Sequence, residues 1–430
     1  MTPALAVGIF VVTYILIATE RIHRVAAALG GAALMAIVGI VDAHTAFFSE
    51  ETGVEWNVIF LLLGMMIIVS ILKTTGIFQY LAIWAAKRAR GRPYRLMVLL
   101  ILITAVLSPL LDNVTTVLLV APVTVLVTRR LGLPVAPYLI AEALASNIGG
   151  ASTLIGDPPN IIIGTRAGLT FNDFLIHMAP IVVFLMIVFV VLMRFMFADT
   201  LRLRPEHPSD LDDLDEREAI NDPAVLVRCL IVLGAVALAF GLHTLLALEP
   251  SIIALVGAGL MIIVSKTTSE QFLEEVEWTT LVFFMGLFIL VGGLVNTGVI
   301  EWLGQAAISA VGDNYLLAAT TLVFGSAILG AFVDNIPYVA TMVPIVQDLV
   351  AAAPNAAEGE ALWWAFALGA DLGGNGTAVA ASANVVVLGI AARNGEPISF
   401  WQFTKYGIVT TAVTIVIAWV YVWLRYFAFA

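Results

Sequence analysis

Two Asp-Asn pairs stand inside otherwise apolar stretches: Asp112-Asn113 in LSPLLDNVTTVLLVAP (residues 107–122) and Asp334-Asn335 in VDNIPY. A carboxylate at hydrocarbon depth costs roughly 2.5–3.5 kcal/mol on insertion scales. What offsets such a cost is chemistry that a neutral side chain lacks, namely carrying a proton or holding a cation. Two more polar stretches, SNIGGASTLIGDPPN (146–160) and ADLGGNGTAVAASAN (370–384), set Asn147, Thr153 and Asn160 in one, and Asp371, Asn375, Thr377 and Asn384 in the other, among glycines. Amides, hydroxyls and open backbone carbonyls suit a small hydrogen-bonding solute or a bare ion. Asp112, Asp334, Asp371 and Glu142 are the groups able to take up and release a proton. Asp157, in GDPPN, reads either as an ion ligand present in one stretch only or as a turn cap before Pro158-Pro159.

These residues need apolar elements to hold them. The chain has 430 residues, 61% of them apolar and 12% charged, too oily for the surface of a water-soluble globule. It reads as an all-α polytopic membrane protein. A net charge of −11 argues against a nucleic-acid partner, and much of the acidity sits in SDLDDLDEREAIND (209–222), a solvated loop. Cys229 is the only cysteine, so neither a disulfide nor a multi-thiolate metal site forms within one chain. His23, His44, His177, His207 and His243 are scattered without metal-ligand spacing. The first apolar run, 3–19, has no basic residue before it and reads as a retained helix. No phosphate-binding G-x-x-x-x-G-K-[ST] loop is present, so the chain is not by itself an ATPase, and no cofactor or enzymatic activity is expected.

The apolar segments fall into two series of the same form. EWNVIFLLLGMMIIVSILKTTGIF (55–78) aligns without gaps to EWTTLVFFMGLFILVGGLVNTGVI (277–300), pairing Glu55 with Glu277, Gly64 with Gly286 and Thr75-Gly76 with Thr297-Gly298. In that register Asp112-Asn113 falls on Asp334-Asn335. Shifted by two residues, Gly149-Gly150, Thr153 and Asn160 fall on Gly373-Gly374, Thr377 and Asn384. The polar device is therefore duplicated. The organisation expected is repeat 1 over 1–198, a cytoplasmic linker over 199–225 and repeat 2 over 226–430.

Charge bears on orientation. AKRARGRPYR (86–95) holds five basic residues, and Arg129-Arg130 follow the first interrupted segment, whereas the equivalent EWLGQAAISAVGDNY (301–315) holds none. If each interrupted segment is a re-entrant hairpin, each half has five crossings and the halves are inverted. That arrangement puts nearly every Lys and Arg inside. Both termini are then external, in the plasma membrane, and Asp112 and Asp334 cap the second arms of hairpins whose tips lie at membrane depth. The Gly-Gly stretches read as breaks in the fifth crossing of each half, so four polar breaks meet near the midplane.

The pattern of LDN, SNIGGASTLIGDPPN, VDNIPYVATMVP and LGGNGTAVAASANVVVLG resembles the ArsB (arsenical pump membrane protein) and melanosomal P-protein branch of the ion transporter superfamily, along essentially the whole chain. The resemblance implies a scaffold domain and a transport domain per protomer, commonly paired as a homodimer. Carried over by position, its solute and ion site is Asp112, Asn113, Thr115, Asn147, Thr153 and Asn160 with Asp334, Asn335, Asp371, Asn375, Thr377 and Asn384. The divalent-anion symporters of the same superfamily carry Ser-Asn-Thr in both halves. Here the triplets are Ser146-Asn147-Ile148 and Ala370-Asp371-Leu372, and Asp371 adds negative charge where a carboxylate substrate would sit. The expectation is a secondary transporter exchanging arsenite or antimonite for protons, with any ATP coupling left to a separate subunit. The alternatives are a sodium/proton antiporter and a P-protein-like anion transporter or channel.

Overall fold

The computed structural model describes residues 2–19, 21–49, 51–204, 216–266 and 269–428, and all regular structure among them is helical. The first series runs α1 (Thr2–Ala18), α2 (Arg24–Ile37), α3 (Ala43–Phe47), α4 (Trp56–Thr74), α5 (Ile77–Ala89), α6 (Pro93–Leu111), α7 (Asn113–Arg130), α8 (Val135–Gly150), α9 (Pro158–Ala167), α10 (Phe171–His177) and α11 (Ala179–Met196), closed by the short α12 (Ala198–Leu201). The second follows as α13 (Pro223–Gly241), the short α14 (His243–Leu246), α15 (Pro250–Ser265), α16 (Ser269–Glu274), α17 (Trp278–Asn296), α18 (Val299–Val311), α19 (Tyr315–Phe332), α20 (Asn335–Ala351), α21 (Ala356–Gly373), α22 (Ser382–Arg393) and α23 (Phe400–Tyr426). From α4 to α9 and from α17 to α22 the order is the same, element for element. Seven of the described helices are long and apolar enough to cross a membrane. Shorter apolar helices such as α2, α15 and α22 accompany them.

Helices apolar on every side belong inside a bundle, and α4 and α17 are accordingly the most buried of the long ones. Each packs on a helix of the other series, α4 on α15 and α17 on α2. The matched glycines of the alignment explain the closeness. A Cβ on Gly64 would lie 2.7 Å from the Ala254 backbone, and one on Gly286 would lie 3.0 Å from that of Ala28. Small residues are what let helix backbones meet where no water drives them together. With α1 and α13 these four form one packing group. Helices α6 to α9 and α19 to α22, joined by α11 and α23, form the other. Helices α5 and α18 connect the two groups, each entered through a left-handed glycine, Gly76 at φ 82° and Gly298 at φ 73°.

Both interrupted segments turn at their Asp. Helix α6 ends at Leu111 and α7 begins at Asn113; Asp112 takes the turn at φ 70°, and its carboxylate accepts the Thr115 N–H at 2.8 Å. Asp334 turns α19 into α20 at φ −48° and accepts the Ile336 N–H at 3.1 Å. The N-cap role follows from the orphan N–H groups that any helix start presents. The Gly-Gly stretches break as well: α8 stops at Gly150 and α9 resumes at Pro158, and α21 stops at Gly373 before α22 starts at Ser382. In the first break the backbones of Gly150 and Gly156 cross so closely that a Cβ on Gly156 would lie 2.4 Å from the Gly150 carbonyl oxygen.

Of the expected linker, 205–215 lies outside the described residues, and with it His207 and half of the acidic run. Its end, Glu216–Ala219, is a short 3-10 turn packed on α5. Glu216 pairs with Lys87 at 2.6 Å, and the Asn221 side chain donates to the Thr74 carbonyl at 2.8 Å.

Candidate functional site

The two hairpin tips and the two broken helices meet in one buried polar cluster. Asn113, in the first turn of α7, donates from Nδ2 to Asn147 Oδ1 at 3.2 Å and to Asp157 Oδ2 at 2.9 Å. Asn147, at the end of α8, passes the contact to the other half, donating from Nδ2 to Asn375 Oδ1 at 3.1 Å and Asn384 Oδ1 at 3.0 Å. A chain of amides thus joins both series, with every one of these residues at most 2% exposed. Buried amides in such a network fix one another's orientation.

Repeat-related residues make repeat-related bonds. Asn160 donates to the Thr153 carbonyl at 3.1 Å, and Asn384 donates to that of Thr377 at 2.9 Å. The Thr153 hydroxyl donates to Pro109 in the last turn of α6, and the Thr377 hydroxyl donates to Ala331 in the last turn of α19. The last-turn carbonyls of a helix have no partner within it, so each threonine completes a hairpin, while its own oxygen accepts a backbone N–H of the break, Gly156 at 3.1 Å for Thr153 and Val379 at 3.4 Å for Thr377. Thr115 serves its own tip: its hydroxyl donates to Asp112 at 2.7 Å.

The halves differ in their carboxylates. Asp371 takes the place that Asn147 holds in the first half, and Asp157 has Ala381 opposite it. Asp157 stands at the N-cap position of α9 but makes no cap bond there; it receives Asn113 instead. Asp371 is fully buried with the Asn160 side chain facing its carboxylate, and no donor makes a hydrogen bond within 3.5 Å to either oxygen. Asn113 Oδ1 and Asn160 Oδ1 are likewise unpartnered acceptors, and Asn335 Nδ2 and Asn375 Nδ2 unpartnered donors. Buried polar atoms without a protein partner are rare in folded proteins, and each calls for an explanation.

Among the described residues one ion pair reaches this cluster, Arg24 to Asp334 at 3.8 Å. Arg24 lies at the start of α2 and carries no signal in its local sequence. Ser108 is likewise silent as a site residue, and Ser146 is marked only by its place in the Ser146-Asn147-Ile148 triplet. The Ser108 hydroxyl donates to the Ser146 carbonyl at 2.7 Å, and the Ser146 hydroxyl donates to that of Asn113 at 2.9 Å, locking the first tip to α8. Glu142 sits apart, five residues before Asn147 on α8, where Thr124 donates to one of its oxygens at 2.5 Å and the other has no partner.

Comparison with known proteins places this geometry. The family model described as "Citrate transporter" (CitMHS) matches residues 14–369. An uncharacterized transporter of Mycobacterium tuberculosis is 54% identical over 425 residues, 99% of each chain. The "46 kDa membrane protein" of Mycobacterium leprae is 51% identical over 98% of each. The P protein of Homo sapiens is 32% identical over 97% of this chain and 59% of its own length. Among solved structures, the Alcanivorax borkumensis YdaH transporter superposes with a TM-score of 0.61 at 14% identity, covering 99% of this chain and 98% of that one. Neisseria gonorrhoeae MtrF follows at 0.54 and 13%, covering 100% and 95%. These two establish likeness of fold. With sequence matches of this length and closeness, the chain belongs to the CitMHS citrate transporter family of membrane transporters, within the ion transporter superfamily.

Proposed function

We propose that the protein is a secondary active transporter that exports arsenite or antimonite in exchange for protons, with the solute held where the hairpin tips and broken helices meet. The observation that carries this reading is the set of unpartnered atoms in the buried cluster. Donors (Asn335 Nδ2, Asn375 Nδ2) and acceptors (Asn113 Oδ1, Asn160 Oδ1) belong to the same buried set as the Asp371 carboxylate. Arsenous acid at neutral pH is an uncharged polyol that both donates and accepts, and it needs neither a thiolate nor an arginine clamp. Asp371 and Asp157, the two fully buried carboxylates that only one half each carries, supply the exchangeable proton. A polyanion such as citrate, the compound in the family's name, would meet this negative charge without a balancing cation.

Sodium/proton antiport is the second reading. It is favoured by the count of acceptors, since Asn113 Oδ1, Asn160 Oδ1 and both oxygens of Asp371 offer four unpartnered oxygens to a bare cation. A P-protein-like anion transporter or channel is disfavoured by the same carboxylates. The exchange reading also takes the two series as inverted repeats over 1–198 and 226–430, both termini external, one group of helices moving against the other, protomers paired as dimers, and any ATPase a separate subunit.

Everted membrane vesicles test it. Arsenite uptake driven by an imposed proton gradient, absent from vesicles lacking the protein, is the expected result. Sodium-dependent dequenching of a pH dye without arsenite uptake moves the assignment to the antiporter, and citrate uptake overturns both.

A further inference from the structure

A cavity of about 630 Å³ abuts both hairpin tips, with Val114 of the first and Phe332 to Asp334 of the second in its wall. The turn between α1 and α2, the start of α17 and the start of α22 complete it. Its charged side chains are Glu277, Asp334 and Arg24, with His23 beside them. Arg24 is not free to leave. Its Nη1 lies 3.8 Å from Asp334 Oδ2 and donates to Ser382 Oγ at 3.1 Å, its Nη2 donates to Thr280 Oγ1 at 3.5 Å, and its guanidinium rests 5.5 Å over the Phe283 ring. Thr280 in turn donates to Glu277 Oε2 at 3.0 Å. One guanidinium therefore serves two carboxylates, and much of the remaining wall is apolar: Val276, Phe332, Val379, Val385 and Val386.

From this geometry we propose that the cavity is a vestibule through which solute reaches the paired tips, and that it admits cations and uncharged solutes while turning away anions. One net negative charge in a cleft with low-dielectric walls concentrates cations and depletes anions, by about tenfold or more in local concentration and on-rate. An incoming anion gains less from Arg24 than from a free guanidinium, because its two terminal nitrogens already face Asp334, Ser382 and Thr280 and its plane rests on Phe283. Glu277 is the discriminating residue. Its counterpart in the first half, Glu55, is instead neutralised by Arg166 at 2.7 Å, so only the second-half glutamate faces an open cavity with its charge shared. The inference rests on the reading of the chain as a transporter of an uncharged or cationic species through this cluster, yet it can be tested with no transport at all.

Cys229 is the only cysteine in the chain, so Cys229→Ala with Thr279→Cys leaves a single thiol on the cavity wall. Thr279 is exposed and lines the cavity. In permeabilised membranes at about pH 8, where an ordinary imidazole is uncharged, its reaction rates are measured with two methanethiosulfonate reagents of similar size. One carries a trimethylammonium group and the other a sulfonate, and each rate is divided by that of the same reagent with 2-mercaptoethanol. The expected cation-to-anion ratio is about ten or more. It falls toward one with Glu277→Gln and rises further with Arg24→Gln. A ratio of one or less with the native lining overturns the proposal, as does a ratio unmoved by Glu277→Gln, or no reaction with either reagent. Failure of arsenite and sodium transport in the vesicle assay would remove the proposed function and leave this ratio standing.

Discussion

The hydroxyl of Thr153 donates to the carbonyl of Pro109 at 2.6 Å, and that of Thr377, its counterpart in the second half, donates to the carbonyl of Ala331 at the same distance. Each bond runs from a broken helix to the tip of its neighbouring hairpin. Each closes a carbonyl that the end of a helix leaves open. The two pins therefore hold the site's most polar backbone in place from both sides.

Thr153→Val and Thr377→Val keep the shape of the side chain and remove the donor. A buried carbonyl left without a partner costs about 1–3 kcal/mol, so both variants are expected to unfold at lower temperature in detergent, by similar amounts. Thr→Ser at either position is expected to restore most of the loss. If the valine variants melt with the wild type, the hydroxyls are not pins.

Much of this was legible beforehand, and the reason is local. Asp112 and Asp334 announce a turn because a carboxylate followed by Asn inside an apolar run has few other places to be. The duplicated Gly-Gly stretches announce breaks because glycine flanked by Asn and Thr weakens a helix while supplying partners for its loose ends. What the sequence left open is pairing across distance. Arg24 reaches Ser382, 358 residues away, and nothing in RIHRVAAA distinguishes it from a basic residue at a membrane edge. Asp157 shows the same limit: a turn cap and an ion ligand read identically in GDPPN, and only the folded chain shows that the cap bond is not made and that the Asn113 amide takes its place.

Asp371→Asn converts the second-half residue into the one the first half already uses, Asn147. It removes a fully buried carboxylate to which no donor makes a hydrogen bond within 3.5 Å, a group whose burial is costly unless it is paired or protonated. The variant is therefore expected to be at least as thermostable as the wild type and to lose proton-coupled transport. Asp157→Asn, which keeps an acceptor for Asn113, is expected to weaken transport and shift its pH profile without collapse of the fold. Thermal midpoints and pH-dependent vesicle uptake, measured together, check both. Full activity with an unchanged pH profile in Asp371→Asn would end its role in coupling.

Gly76 and Gly298 open the two connecting helices in the same left-handed conformation but in different surroundings. A Cβ on Gly76 would collide with the Ala219 carbonyl of the inter-repeat segment, whereas around Gly298 there is open space. Alanine at either site carries the left-handed penalty of about 1–2 kcal/mol. Only Gly76→Ala must also push the segment off α5, so it is expected to cost more stability and to speed proteolysis near residues 216–222. The Lys87 ammonium holds the Glu216 carboxyl below the usual glutamate range. That contribution is present above the ordinary glutamate pKa and is lost as pH falls through the lowered value. Proteolysis of the wild type is thus expected to rise on acidification below about pH 4, and Lys87→Met to raise it already at neutral pH. Equal behaviour of the two glycine variants would show that the segment is not held at this hinge.

Asn147 and Asn375 are bonded to each other, yet their free atoms assign them different work. Asn147 Nδ2 is engaged by Asn375, Asn384 and the Gly374 carbonyl, and its Oδ1 by Asn113. Asn375 gives its oxygen to Asn147 and keeps Nδ2 unpartnered. Asn147→Ala therefore cuts the amide chain between the halves and is expected to lower the thermal midpoint along with transport. Asn375→Ala removes one link of that chain and one of the two unpartnered amide donors of the cluster, the other being Asn335 Nδ2. It is expected to lose arsenite resistance in an efflux-deficient host, with substrate affinity weaker by about tenfold, the effect of about 1–3 kcal/mol, at a smaller loss of stability. Cys229→Ala is expected to change neither property, since one thiol cannot build a multi-thiolate arsenic site. Resistance lost on that substitution, with the protein still in the membrane, would mean that sulfur rather than the amide cluster binds the solute. Should Asn375→Ala destabilise as much as Asn147→Ala while its remaining folded fraction transports normally, the solute donor lies elsewhere, with Asn335 Nδ2 the next atom to test.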